Sequence, residues 1–242
     1  MFPVCSPKRR GMTLPELMIA SALMVLIAGG LSVLATALHG GANYTDQRAD
    51  LTQHARVIHE RIRRDISQAH ANEHFPGCLA FEDTLAVWRG PASSPQGRPL
   101  WSELVVYCPD PDNPSSLLEI TASDAHVAVP ERNDTAAWLS DLNDLKNGDA
   151  VRKVELTSWL RSTEVAGNAR GAIRFHAVSQ PSSEDWARYR QGEIAWDALT
   201  APQGLRGLAK TYCRWEVQLV GPREPWATPF FGASSVHYGL TP

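Results

Sequence analysis

Cysteine is scarce in this chain, and what there is does not cluster. Cys5, Cys78, Cys108 and Cys213 form no CxxC pair, which excludes ribbon and finger zinc sites. Proline and glycine are scattered without a period, so collagen-like and low-complexity readings fall away. No repeat occurs at solenoid or propeller spacing. Nucleophile-elbow and phosphate-loop contexts are missing. His59-Glu60-Arg61-Ile62-Arg63 is not the HExxH pattern, and Asp141, Asp144 and Asp149 do not match an EF-hand loop. Basic clusters are few as well. The net charge is −3, and Arg61, Arg63 and Arg64 lie between Glu60 and Asp65, which reads as a solvated helix face. Nucleic-acid binding, which needs clustered Lys and Arg against phosphates, is therefore not expected. No enzyme class and no cofactor is indicated.

Charge is also absent where it matters most. Residues 17–38 are 22 positions without an Asp, Glu, Lys or Arg. At helical rise that run covers about 33 Å, enough to cross a ~30 Å hydrocarbon core. Lys8, Arg9 and Arg10 precede it, which predicts a cytoplasmic N-terminus and the bulk of the protein on the far side. A secretory signal peptide fits poorly, since its apolar stretch is shorter and ends in an A-x-A-like site. One carboxylate, Glu16, stands at the edge of the run, where a charge needs a partner or a role.

Gly11-Met12-Thr13-Leu14-Pro15-Glu16, following Lys8-Arg9-Arg10, resembles the leader junction of type IV prepilins. That resemblance implies cleavage after Gly11 by a prepilin peptidase and methylation of the new N-terminal residue, Met12. It also implies a salt bridge from Glu16 to the α-amino group of a neighbouring subunit, the alternative being a Glu16 that snorkels to the headgroups. Met12 replaces the usual Phe, and Pro15 stands where Leu or Ile is common. A proline in the first turn lacks only an N–H that has no intrahelical partner anyway, so Pro15 agrees with a chain starting near Met12. Gly29 and Gly30 interrupt the run. The resemblance implies a stretch that loosens on leaving the bilayer; close helix packing is the other reading.

Beyond Gly40 and Gly41 the pattern turns amphipathic: Leu51, Ala55, Ile58, Ile62 and Ile66 recur at helical spacing. The helix is expected to stop near 70–76, where Asn72, Pro76 and Gly77 supply breakers. Strands are expected at 79–81, 84–89, 101–108, 117–121, 151–160, 172–178, 212–220 and 236–240, with short helices at 135–145 and 182–190. The layout is α+β, a long N-terminal helix packed on a mostly antiparallel β-sheet head. The expected organisation is a leader at 1–11, a transmembrane and filament-core helix at 12–41, its amphipathic continuation at 42–75 and a periplasmic head at 76–242. Size, helix end and strand order are similar to those of J-type minor pseudopilins of type II secretion and W-type minor pilins. That similarity implies a non-enzymatic subunit of the inner membrane and of a pseudopilus or pilus, partnered by other pilin subunits and the prepilin peptidase. A membrane-anchored periplasmic enzyme or binding protein is the competing class.

The head offers few candidates for chemistry. In an oxidising compartment one disulfide can form among Cys78, Cys108 and Cys213, with three pairings open. Asp110, Asp112 and Asn113 supply hard oxygens that suit calcium, or satisfy their own turn. His70 and His74, four apart, could share a helix face as metal ligands, but near a helix end they read as surface imidazoles. Trp88, Trp101, Trp159 and Trp215 fall in the expected strands and should fill core.

Overall fold

The computed structural model describes residues 12–90, 97–122, 126–148, 151–165, 167–199, 207–221 and 226–240. The chain divides into two compact units, Met1–Ala49 and Asp50–Pro242. A single helix, α1 (Leu14–Ser67, 54 residues), contributes to both. In the first unit no described residue is buried, and Gly29, Gly30, Gly40 and Gly41 leave the helix unbroken.

The second unit is the head. Over residues 50–67, Leu51, Ala55, Ile58, Ile62 and Ile66 enter the core at the spacing of one helix face. The helix stops at Ser67, earlier than the breakers suggested. Gln68 N–H still bonds Arg64 O, but His70 N–H is taken by Trp88 O at 2.9 Å. Asn72 Oδ1 then accepts from the N–H groups of His74 and Phe75. The backbone thus finds partners outside the helix before Pro76 is reached.

Five strands form the larger sheet: β1 (Cys78–Phe81), β2 (Thr84–Trp88), β3 (Leu104–Pro109), β4 (Leu117–Ala122) and β5 (Val151–Thr157), in that spatial order and all antiparallel. Strands β2 and β3 are buried along their whole length, because the sheet is covered on both faces. Leu85, Val87, Val105, Tyr107 and Leu117 join the core against α1. Ala86, Trp88, Leu104, Val106 and Cys108 point the other way, into a second core with Trp138 and Leu142 of α2 (Thr135–Asn147). The period of two along each strand sends alternate residues of the same strands into the two cores.

A hairpin, β6 (Ser162–Val165) with β7 (Asn168–Gly171), precedes β8 (Ile173–Gln180). After α3 (Ser183–Arg190), the long strands β9 (Leu208–Leu219) and β10 (Thr228–Gly239) complete a second antiparallel sheet in the order β10-β9-β8. The inward residues of β8 and β9, including Phe175, Cys213, Trp215 and Val217, meet α1 in the first core. Gly232 of β10 is required there: a Cβ would stand 2.4 Å from both His59 Nδ1 and Trp215 Cε2.

Three expectations change. Residues Trp101–Glu103 form a 3-10 turn rather than the start of a strand, with Leu100 N–H held by Glu103 Oε2 at 3.0 Å. Trp159 lies past the end of β5 and packs against His54 instead of sitting in a strand, ring centroids 4.1 Å apart and planes tilted by 35°. Strand β10 starts well before 236, because pairing with β9 overrides the low strand preference of Pro229, Gly232 and Ser234-Ser235.

Candidate functional site

The N-terminal end of α1 is built by a local cap. Thr13 stands just before the first helical residue, and Leu17 N–H bonds Thr13 O at 3.1 Å. Glu16 folds back, so that its Oε2 accepts from Thr13 N–H and from Thr13 Oγ1–H, each at 2.9 Å. Thr13-Leu14-Pro15-Glu16 thus supplies the glutamate half of a capping box. Pro15 is the second helical residue, where its missing N–H leaves nothing unsatisfied. The Glu16 carboxylate also lies where the positive end of the helix dipole favours a negative charge. Met12 is 67% exposed; Gly11 lies outside the described residues.

Behind this cap the surface is apolar on every side. Leu17, Met18, Leu23, Val25, Leu26 and Leu34 are all more than half exposed. The described chain has one helix long and apolar enough to cross a membrane, and none of its apolar window is buried. Around Gly29 and Gly30 an added Cβ would meet nothing within 4 Å, so the close packing that glycine permits is not used among the described residues. A face this large and uncovered marks an interaction with lipid or protein.

The head fastens the lower part of α1 with charge as well as packing. Arg61 grips Glu119 of β4 through two bonds of 2.7 Å, Nε to Oε2 and Nη2 to Oε1. Tyr107 of β3 donates its hydroxyl to Asp65 Oδ2, and Arg89 Nε stands 3.6 Å from Asp65 Oδ1. Asp65 and Tyr107 are fully buried. Burial first, and the Asp65 bond second, push the Tyr107 hydroxyl up, so it remains a donor. The bond to Glu119 raises Arg61. Of the stretch 60–65 read as a solvated face, only Glu60, Arg63 and Arg64 are solvated. Asp65 falls on the Ile58, Ile62 and Ile66 stripe, and that position was the signal that it is buried.

His59 sits on the same segment. Its Nδ1 accepts from Trp215 Nε1–H at 3.2 Å, which places the ring proton on Nε2. Burial holds its pKa below the ordinary histidine value.

The other candidate side chains make local contacts. Asp110 Oδ1 accepts from Asp112 N–H at 3.0 Å, and Asn113 Nδ2 donates to Ser116 Oγ at 3.0 Å. His74 lies 3.4 Å from Glu73, whereas the His70 ring faces Trp88. Among the described residues no group of three or more His, Cys, Asp or Glu is gathered as a metal site. Cys78, Cys108 and Cys213 are buried thiols. An open groove of about 630 Å³ crosses the outer face of β8-β9-β10, lined by Arg174, His176, Arg214, Glu216, Tyr212 and Phe231 among others.

Residues 6–32 match the family described as the prokaryotic N-terminal methylation motif. No curated protein and no solved structure matches the chain. The matched segment ends inside the exposed apolar part of α1, and an antiparallel head packs on the lower part of the same helix. The chain therefore carries a prepilin-like N-terminal methylation motif, and behind it a pilin-like α+β fold.

Proposed function

We propose that the protein is a minor pseudopilin or minor pilin, a structural subunit that works by assembling. Prepilin peptidase cuts after Gly11 and methylates Met12. The apolar helix first anchors the chain in the inner membrane, with a cytoplasmic N-terminus and a periplasmic head. The helix then leaves the bilayer for the core of a filament, where other pilin subunits cover it. Similarity to J-type and W-type subunits favours the filament tip. The observation that carries this reading is an uncovered apolar helix segment of membrane length that begins within the methylation motif.

Glu16 has two roles to separate. Within the chain it caps Thr13; in the filament it pairs with the methylated amine of a neighbour. Glu16→Gln keeps an acceptor for Thr13, since Gln also completes a capping box, but removes the charge. The expected result is normal processing and membrane insertion with loss of filament incorporation, read by cross-linking to neighbouring subunits. Incorporation at the wild-type level would remove the intersubunit role and leave Glu16 as a cap alone.

A further inference from the structure

Strand alternation sorts the three described cysteines between the two cores. On β3, Tyr107 faces α1 while Cys108 faces α2. On β1, Cys78 and Ala80 face α1 while Leu79 and Phe81 face the other way. Cys213 lies on the central strand β9, on its inward face with Trp215 and Val217. Cys78 and Cys213 therefore share one core, and the sheet itself separates them from Cys108.

The two sheets meet at this pair. Phe175 N–H of β8 donates to Glu82 O in the β1-β2 turn at 2.8 Å. Next to Cys78, Gly77 has φ +84°, and a Cβ there would lie 2.8 Å from Val236 Cγ1 of β10. Val236 is opposite Thr211, two residues from Cys213 on the same face of β9. The two thiols also sense each other directly: a hydrogen bond with Cys78, ahead of burial, pushes the Cys213 thiol up. Cys108 is pushed up to about 12 by burial.

We propose that Cys78 and Cys213 form a disulfide joining the first strand of the head to the centre of the second sheet, while Cys108 remains a thiol. This rests on the reading above, in which the head lies in an oxidising compartment. The oxidant is a protein or small-molecule disulfide. One cysteine thiolate attacks it, forming a mixed disulfide and releasing one of its thiols. The second cysteine thiolate then attacks the mixed disulfide and releases the other. Both cysteines lose a proton, the S–S bond between them forms, and the oxidant's S–S bond is reduced to two thiols. Both sulfurs are inaccessible in the folded head, so exchange takes place during folding, and the finished bond is shielded from reductants. The bond spans most of the head sequence and ties together the two sheets that enclose residues 50–67 of α1.

The test is a thiol map of the processed protein, which lacks Cys5, extracted from membranes, denatured in N-ethylmaleimide and digested without reductant. The Cys78 and Cys213 peptides are expected as one cross-linked species, with Cys108 alkylated. Cys108→Ser should retain the mobility difference between reducing and non-reducing gels, and Cys213→Ser should abolish it. A link that includes Cys108 would overturn the proposal. So would three alkylated cysteines after the reduced protein is refolded with oxidised glutathione. Three thiols in the cellular protein, with the Cys78–Cys213 link appearing on refolding in oxidised glutathione, would overturn the oxidising location and the bond in the cell. In that event the pairing geometry alone would survive.

Discussion

One helix carries two opposite surfaces. Over 12–49 no described residue is buried and the stretch 17–38 is apolar, whereas over 50–67 Leu51, Ala55, Ile58, Ile62, Asp65 and Ile66 are covered by the head. The lower part has an apolar stripe because the chain provides a sheet for one face only. The stretch 17–38 is apolar all round, which a water-exposed helix cannot sustain and a helix surrounded by lipid or other helices requires. The difference teaches that the chain stabilises its head by itself and leaves the cover of its upper helix to its surroundings.

Ile62→Ala strikes the self-covered half at a fully buried position. It should destabilise the head by about 2–5 kcal/mol, seen as a lower urea midpoint; an unchanged midpoint would mean that the helix does not depend on this core. Tyr107→Phe should lose less, about 1–3 kcal/mol, because the Asp65 carboxylate then lacks its hydroxyl donor in a buried site. A change near zero would show the bond to be redundant with Arg89. A smaller effect is expected from pH. Burial holds His59 below its ordinary 6.5 in the folded head. The contribution of neutral His59 is thus complete above 6.5 and is lost as pH falls from there through the depressed folded value, since the unfolded chain takes up the proton first. Thermal melts across that window should decline for the wild type and decline less for His59→Gln, which still offers Trp215 an acceptor. Equal slopes would exclude His59 as the source. Smallest of all, Leu26→Ala in the uncovered half should shift the head midpoint by no more than about 0.5 kcal/mol. A larger shift would show that the head leans on residues 12–49.

The two halves were also unequally legible in the sequence. The leader junction, the uncharged run and the 51–66 stripe are periodic or local signals, and each is found in the structure or the family match. Most head strands were visible from apolar runs between turn residues. The β6-β7 hairpin was not, since Arg161, Glu164, Asn168 and Arg170 give no apolar alternation and the strands pair with each other. The charged clasp was missed for another reason. Arg61 and Asp65 resemble surface residues one by one, and only their distant partners Glu119, Tyr107 and Arg89 make them structural. Long-range pairing of this sort leaves no local trace, although the place of Asp65 on the isoleucine stripe was a clue.

The account turns on the uncovered half being the N-terminus of a processed subunit. Intact-mass and N-terminal peptide analysis of the membrane-extracted protein tests this directly. A chain beginning at Met12 with one added methyl group on its α-amine is the expected result. An unprocessed Met1 in cells with an active prepilin peptidase would contradict it.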